Sequence, residues 1–172
     1  MKKDTYILGL NCAYHESSVC ILKNGKIVAF IEEERLNRIK HAKRALVDSA
    51  DELPLASLKY CLEKSKITYA DINHIAYNLD SKDRLEHGIN VDSGHKIHEN
   101  SWGTESGEKL FYQKNLNVID KLSDLFGKNI ADIFHVVKHH VAHAAGAFYS
   151  SGFSSSAILV VDGIAEHYST WL

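Results

Sequence analysis

The stretch best equipped for chemistry is His139-His140-Val141-Ala142-His143, followed nineteen residues later by Asp162. On a helix, His139 and His143 stand four apart and share one face, so both imidazoles reach a single metal ion. Asp162 closes the apolar run Ala157-Ile158-Leu159-Val160-Val161, and a strand ending there brings a hard carboxylate to the same point. Two imidazoles and a carboxylate leave coordination positions open, which a metal needs if it is to bind and polarise a substrate. The same residues have a plainer use. Histidines at a helix start also cap it or join a satisfied polar cluster, and an aspartate at a strand end also begins a turn.

Periodicity indicates the elements that must position them. Residues 6–10, 19–23 and 26–31 read as three strands, and Asn24-Gly25 between the last two is a strong hairpin signal. Polar residues His15-Glu16-Ser17-Ser18 fill the first loop. Glu32-Glu33-Glu34-Arg35 then breaks the apolar pattern, and a basic stretch runs from Arg38 to Arg44. It reads either as a solvated connection of mixed charge or as an anion site with Lys40 as its point charge.

Leu55, Leu58, Cys61 and Leu62 fall at helical spacing after Pro54, which suits a first turn, and that helix ends near Lys66. A helix-to-strand transition follows over 72–78, with the strand over 75–79. Residues 80–107 are polar and without a clear period, so they read as a long excursion of the kind used for lids. His87, His95 and His98 within it read as solvated loop histidines, or as parts of a lid that touches substrate. A helix carrying Leu110, Phe111, Leu116, Ile119, Leu122, Leu125 and Phe126 stops at Gly127. A strand over 133–137 delivers the chain to His139, a small-residue helix covers 142–147, and strands over 157–161 and 167–172 close the chain. The order implies mixed α/β layering in one domain.

Composition narrows the classes. A length of 172 residues suits one core, and a net charge of -2 offers no electrostatic footprint for nucleic acid or for an anionic membrane. Cys12, Cys20 and Cys61 form no C-x-x-C pair, which argues against a disulfide framework and for a reduced, cytosolic setting. No signal-peptide h-region or membrane-length apolar run is present. The chain stops at Ser169-Thr170-Trp171-Leu172, in what reads as mid-strand, so the expectation is a fragment of something longer.

Four blocks carry a family resemblance: Gly9-Leu10-Asn11-Cys12-Ala13-Tyr14-His15-Glu16-Ser17-Ser18; Glu32-Glu33-Glu34-Arg35 with Arg38-Ile39-Lys40-His41; His139 through Tyr149; and Val160-Val161-Asp162-Gly163. In this order they resemble the N-terminal part of the O-carbamoyltransferases of nodulation-factor and antibiotic-tailoring type. The resemblance implies a domain similar to the universal tRNA threonylcarbamoyl-adenosine synthase. That is an α/β, actin/Hsp70/sugar-kinase-like lobe with a mixed five-stranded sheet and flanking helices. Residues 1–172 would be the first lobe, with a second lobe and a carbamoyl-phosphate-processing domain lying beyond it.

The resemblance also implies roles. His139, His143 and Asp162 match metal ligands, with iron implied in preference to zinc and a further aspartate supplied by the second lobe. His15 matches a loop histidine near the reacting group, and Lys40 matches a lysine of the basic stretch. The implied reaction converts carbamoyl phosphate, with ATP, to a carbamoyl-adenylate with release of phosphate and pyrophosphate, then passes the carbamoyl group to a hydroxyl of a sugar or natural-product acceptor. The lobe alone is expected to be inactive, and as half a bilobal fold it is expected to expose apolar surface suited to self-association. Two departures stand out. Glu16 replaces a usual aspartate, and Ile164-Ala165 replaces a second glycine before Glu166, where an alanine at positive φ would be strained.

Three other readings compete. A zinc hydrolase of the H-E-x-x-H kind needs a glutamate where this chain has His140. A sugar-kinase-like phosphotransferase lacks its glycine-rich phosphate cradle here. A non-catalytic metal-binding scaffold module remains as the alternative to the transferase.

Overall fold

The computed structural model describes residues 3–88, 101–163 and 165–172. Strands β1 (Tyr6–Asn11), β2 (Ser18–Lys23) and β3 (Lys26–Glu32) form an antiparallel meander. Asn24 and Gly25 join the last two with φ of 51° and 79°, the left-handed pair that matches the twist of a two-residue hairpin. A short helix α1 (Glu34–Asn37) and helix α2 (Leu55–Ser65) lead to β4 (Ile72–Tyr77), which lies parallel to β1. Helices α3 (Ser81–His87) and α4 (Glu105–Phe126) precede β5 (Phe134–Val136), parallel to β4. Helix α5 (His139–Ser151) and a two-stranded ladder of β6 (Val160–Val161) and β7 (Thr170–Trp171) complete the chain.

The main sheet has the order β3-β2-β1-β4-β5, so it is the mixed five-stranded sheet that the resemblance implies. Alternation along its strands builds the core. Leu8 and Leu10 of β1 pair with Ile21 and Val19 of β2, and Ile75 and Tyr77 of β4 fall beside them in register. Leu58 and Cys61 of α2 join that cluster, as do Phe111, Val118 and Leu122 of α4. The spacing of those three α4 residues keeps them on one helical stripe. In the same register Gly9, Cys20 and Ala76 point to the opposite face and are only partly buried, so that face is less well covered.

Several sequence expectations are corrected. The strand expected over 75–79 begins at Ile72, directly after a 3-10 turn at Tyr69–Asp71 whose start a Thr68/Asp71 capping box closes. The expected structureless excursion contains α3, and α4 starts inside it at Glu105. No apolar period marks α3 because polar contacts hold it. Asp80 caps it by accepting from the Lys82 and Asp83 amides, and buried Arg84 pairs with buried Glu108 of α4 at 2.6 Å. His95 and His98 lie outside the described residues. The strand expected over 157–161 is a ladder at Val160–Val161 alone, and Leu159 before it is 65 % exposed. The strand expected over 167–172 shrinks likewise to Thr170–Trp171.

The acidic run is more than a solvated connection. Glu33 accepts the Ser57 and Ala56 amides at 2.7 and 3.2 Å, satisfying free donors at the start of α2. The segment before α2 is tied to α4 in the same manner. The Asp51 carboxylate takes Asn117 Nδ2 at 3.1 Å and Lys121 Nζ at 3.2 Å, with Lys114 Nζ at 3.5 Å. Burial opposes its ionisation, but these partners outweigh burial and hold the carboxyl below its ordinary value of 3.8. The stability Asp51 contributes is therefore full above that value and is lost as pH falls through the lower, folded value. In urea unfolding across a pH series, Asp51→Asn is expected to cost about 1–3 kcal/mol at neutral pH and to flatten this acid limb. An unchanged limb would refute the assignment.

Candidate metal and substrate site

All three parallel strands end at the same edge of the sheet, and open α/β sheets take ligands outside such carboxyl ends. After β1 comes the loop with Tyr14, His15 and Glu16; after β4 comes Asn78; after β5 comes His139. Asn78 Nδ2 donates to Asn11 Oδ1 at 3.3 Å, joining the first two strand ends. Between them lies a cavity of about 550 Å³, lined by Tyr14, His15, Asn78, Trp102, His139, His143 and Asp162 among others. That volume suits a small molecule.

The three sequence-chosen ligands converge on it. His139 Nε2 lies 3.0 Å and His143 Nε2 3.3 Å from Asp162 Oδ2, and the two nitrogens are 3.1 Å apart. Three features fit a cation there. First, His139 Nδ1 donates to the Asn78 carbonyl at 3.0 Å, which leaves the Nε2 lone pair facing Asp162, the usual orientation of a ligating imidazole. Second, Asp162 Oδ2 is buried and has no hydrogen-bond donor among the described residues. A lone pair facing a carboxylate oxygen is repulsive unless a positive charge sits between them. Third, with bonds of about 2.1 Å, ligand atoms at right angles are about 3.0 Å apart and at the tetrahedral angle about 3.4 Å. Two of the three edges match the right-angled arrangement of a facial triad.

Electrostatics agree with this geometry. Burial would raise the Asp162 pKa, but the Gly163 N–H at 2.6 Å and the positive charge that His139 and His143 bring when protonated outweigh it and hold the carboxyl below its ordinary value, so positive charge at this point is favoured. His140, between His139 and His143 in the chain, is buried against Tyr168, and burial depresses its pKa.

Around the triad stands a shell that periodicity did not reveal. Glu166 is fully buried, and its Oε1 accepts the His139 amide at 2.8 Å and the Asp80 amide at 3.0 Å. It thus anchors the first residue of α5 beside the helix's positive end. Arg84, besides pairing with Glu108, donates to the Ala165 carbonyl at 3.2 Å and to Tyr14 Oη at 3.3 Å. Tyr14 donates in turn to the Ala165 carbonyl at 2.9 Å and turns its ring edge to His139. Ile164 lies outside the described residues. Asn78 offered one readable signal, as a polar residue at the end of a parallel strand.

His15 lines the cavity and is half-exposed, with Nδ1 3.6 Å from Glu16 Oε2. Glu16 also faces His41 Nδ1 at 3.3 Å, and its own φ of 56° is held by its amide donating to the His41 carbonyl at 2.7 Å. Lys40 does not line the cavity; it is exposed, in a shallow cleft with Glu34, Arg38 and Ile39. The buried lysine of that stretch is Lys43, which donates to the Cys12 carbonyl at 2.6 Å and to the Ser49 carbonyl. Among the described residues, no helix is long and apolar enough to cross a membrane.

Comparison with known proteins agrees with the blocks read from the sequence. The family described as the carbamoyltransferase N-terminus matches residues 6–172. The chain is 32% identical over 154 residues to the nodulation protein NolNO of Sinorhizobium fredii, covering 89% of this chain and 20% of that protein. It is 29% identical over 174 residues to an uncharacterized protein of Synechocystis, covering 98% of this chain and 27% of that protein. It therefore spans about a quarter or less of the length of these two relatives. With the family matched from Tyr6 to the last residue, the chain belongs to the carbamoyltransferase N-terminal family.

Proposed function

We propose that this chain is the metal-holding lobe of an O-carbamoyltransferase that uses carbamoyl phosphate and ATP, by way of a carbamoyl-adenylate, to carbamoylate a hydroxyl of a sugar or natural-product acceptor. The observation that carries the reading is the triangle of His139, His143 and Asp162 opening onto the 550 Å³ cavity. The strand order and parallel crossovers support a lobe of the actin/Hsp70/sugar-kinase kind, completed by a second lobe in the whole protein. Three free cysteines suit a cytosolic setting.

In this reading the ion is a divalent metal; two imidazoles and a carboxylate suit iron(II) or zinc, and the family resemblance favours iron. Bound there, it supplies Lewis acidity to the carbamoyl oxygen as negative charge develops. The acceptor oxygen bonds to the carbamoyl carbon, the bond from that carbon to the phosphate oxygen breaks, and AMP leaves. His15, at the cavity wall, takes the hydroxyl proton on a ring nitrogen. Glu16 is placed to orient it. Tyr14, Trp102 and the buried Arg84 close the wall and keep water from competing for the carbamoyl group. Lys40 has a role only if other parts of the protein or the substrate meet its exposed cleft.

The test uses the whole protein, this chain together with the further length its relatives have. Loaded with iron(II) and given carbamoyl phosphate and ATP, it is expected to form carbamoyl-adenylate and release AMP when a hydroxyl acceptor is added; the chain alone is expected to do neither. His15→Asn in the whole protein is expected to lower kcat about 10²–10⁴-fold with little change in metal content. A metal-loaded whole protein that forms no carbamoyl-adenylate would overturn the proposal.

A further inference from the structure

A second cluster of metal-ligating side chains lies outside the cavity. Asp83 and His87 stand four apart on α3, and His167 lies in the segment between β6 and β7. His87 Nδ1 is 2.8 Å from Asp83 Oδ1 and also 3.0 Å from the Asp83 backbone carbonyl, a contact whose proton an ion bound at Nδ1 would displace, and His167 Nδ1 is 3.7 Å from Oδ1. The two rings lie 4.7 Å apart between centroids, tilted by 39°. One ligand atom from each of the three residues falls within 4.8 Å of the others. His167 Nδ1 is buried and has no hydrogen-bond partner among the described residues, an arrangement that is costly unless something else binds the nitrogen. Lys138 Nζ takes the other Asp83 oxygen at 2.7 Å, which orients the carboxylate with Oδ1 turned to the two imidazoles. His87 is half-exposed, so water reaches a fourth position.

We propose that Asp83, His87 and His167 form a second metal site, for a divalent transition ion of the zinc kind, which clamps the segment after Asp162 onto α3. Two imidazoles and one carboxylate oxygen match zinc's ligand preferences, whereas magnesium and calcium want an all-oxygen shell. The clamp has a structural consequence for the first site. His167 adjoins Glu166, which holds the amide of His139, so an ion tying His167 to α3 restrains the same segment. The site does not depend on the proposed reaction, because its ligands lie on other residues and require no substrate.

Equilibrium dialysis of the purified protein against zinc(II), followed by elemental analysis, tests this. The wild type is expected to hold about two ions per chain, His87→Ala and His143→Ala about one each, and the double variant almost none. His87 lies in the last turn of α3 with its side chain half-exposed, so its loss leaves the core intact; circular dichroism checks the fold, and His87→Gln must lose the same ion. Cobalt(II) added to His143→Ala protein is expected to give visible absorption that disappears in the double variant. Unchanged zinc in both His87 variants would overturn the second site alone. Loss in those variants with none in His143→Ala would instead remove the first.

Discussion

Replacing His139 or Asp162 by alanine is expected to weaken iron(II) binding at the cavity by at least about 100-fold, since each removes one of three ligands. Replacing a ligand should cost more than disturbing what positions it. Glu166→Gln keeps the side chain's size but not its charge, and it is expected to weaken binding about 10-fold through the loosened start of α5. The measurement is iron(II) titration with competition by a chelator, on protein shown to be folded by circular dichroism. An affinity unchanged in Asp162→Ala would break the central geometry, because the oxygen 3.0 and 3.3 Å from the two imidazoles would then have no part in holding the ion. In the whole protein the same variants should abolish acceptor carbamoylation.

The second large effect concerns the polar frame behind the cavity. Arg84→Met is expected to destabilise the fold by about 3–5 kcal/mol, because it leaves the Glu108 carboxylate buried without its cation. Arg84 and Glu108 are 2 % and 1 % exposed, and their two contacts of 2.6 and 2.7 Å form a bidentate pair. Arg84→Met combined with Glu108→Leu should recover much of the loss, since a buried pair replaced by apolar groups is often close to neutral. Urea unfolding of the two single variants and the double gives the coupling energy. Coupling below about 1 kcal/mol would mean that the pair behaves as an exposed one. Because Arg84 also holds the Ala165 carbonyl, the double variant should regain stability more fully than metal affinity.

The sequence by itself determined the meander, its Asn24-Gly25 hairpin, the helices after Pro54 and up to Gly127, and the choice of His139, His143 and Asp162, the three side chains that meet at the cavity. Each rests on information local to the chain. A hairpin needs two residues tolerant of positive φ, a helix needs an apolar stripe, and a ligand pair on one helix needs only a spacing of four. The family blocks added the mixed five-stranded sheet, which local patterns cannot specify.

Only the tertiary structure decided the rest. Helix α3 has no apolar stripe, because its stability comes from Asp80 at its start and from Arg84 reaching Glu108 twenty-four residues away. Glu166 became an anchor for α5 only when the segment after Asp162 folded back to the start of that helix, and Asn78 became a positioning group through its backbone carbonyl, whose direction no side-chain pattern reveals. Lys40 and Lys43 show the same limit. They are three apart in one basic run, yet one is exposed in a shallow cleft and the other is buried on backbone carbonyls. Burial and long-range polar pairing depend on which segments the sheet brings together, and that is a property of the assembled chain rather than of any window along it.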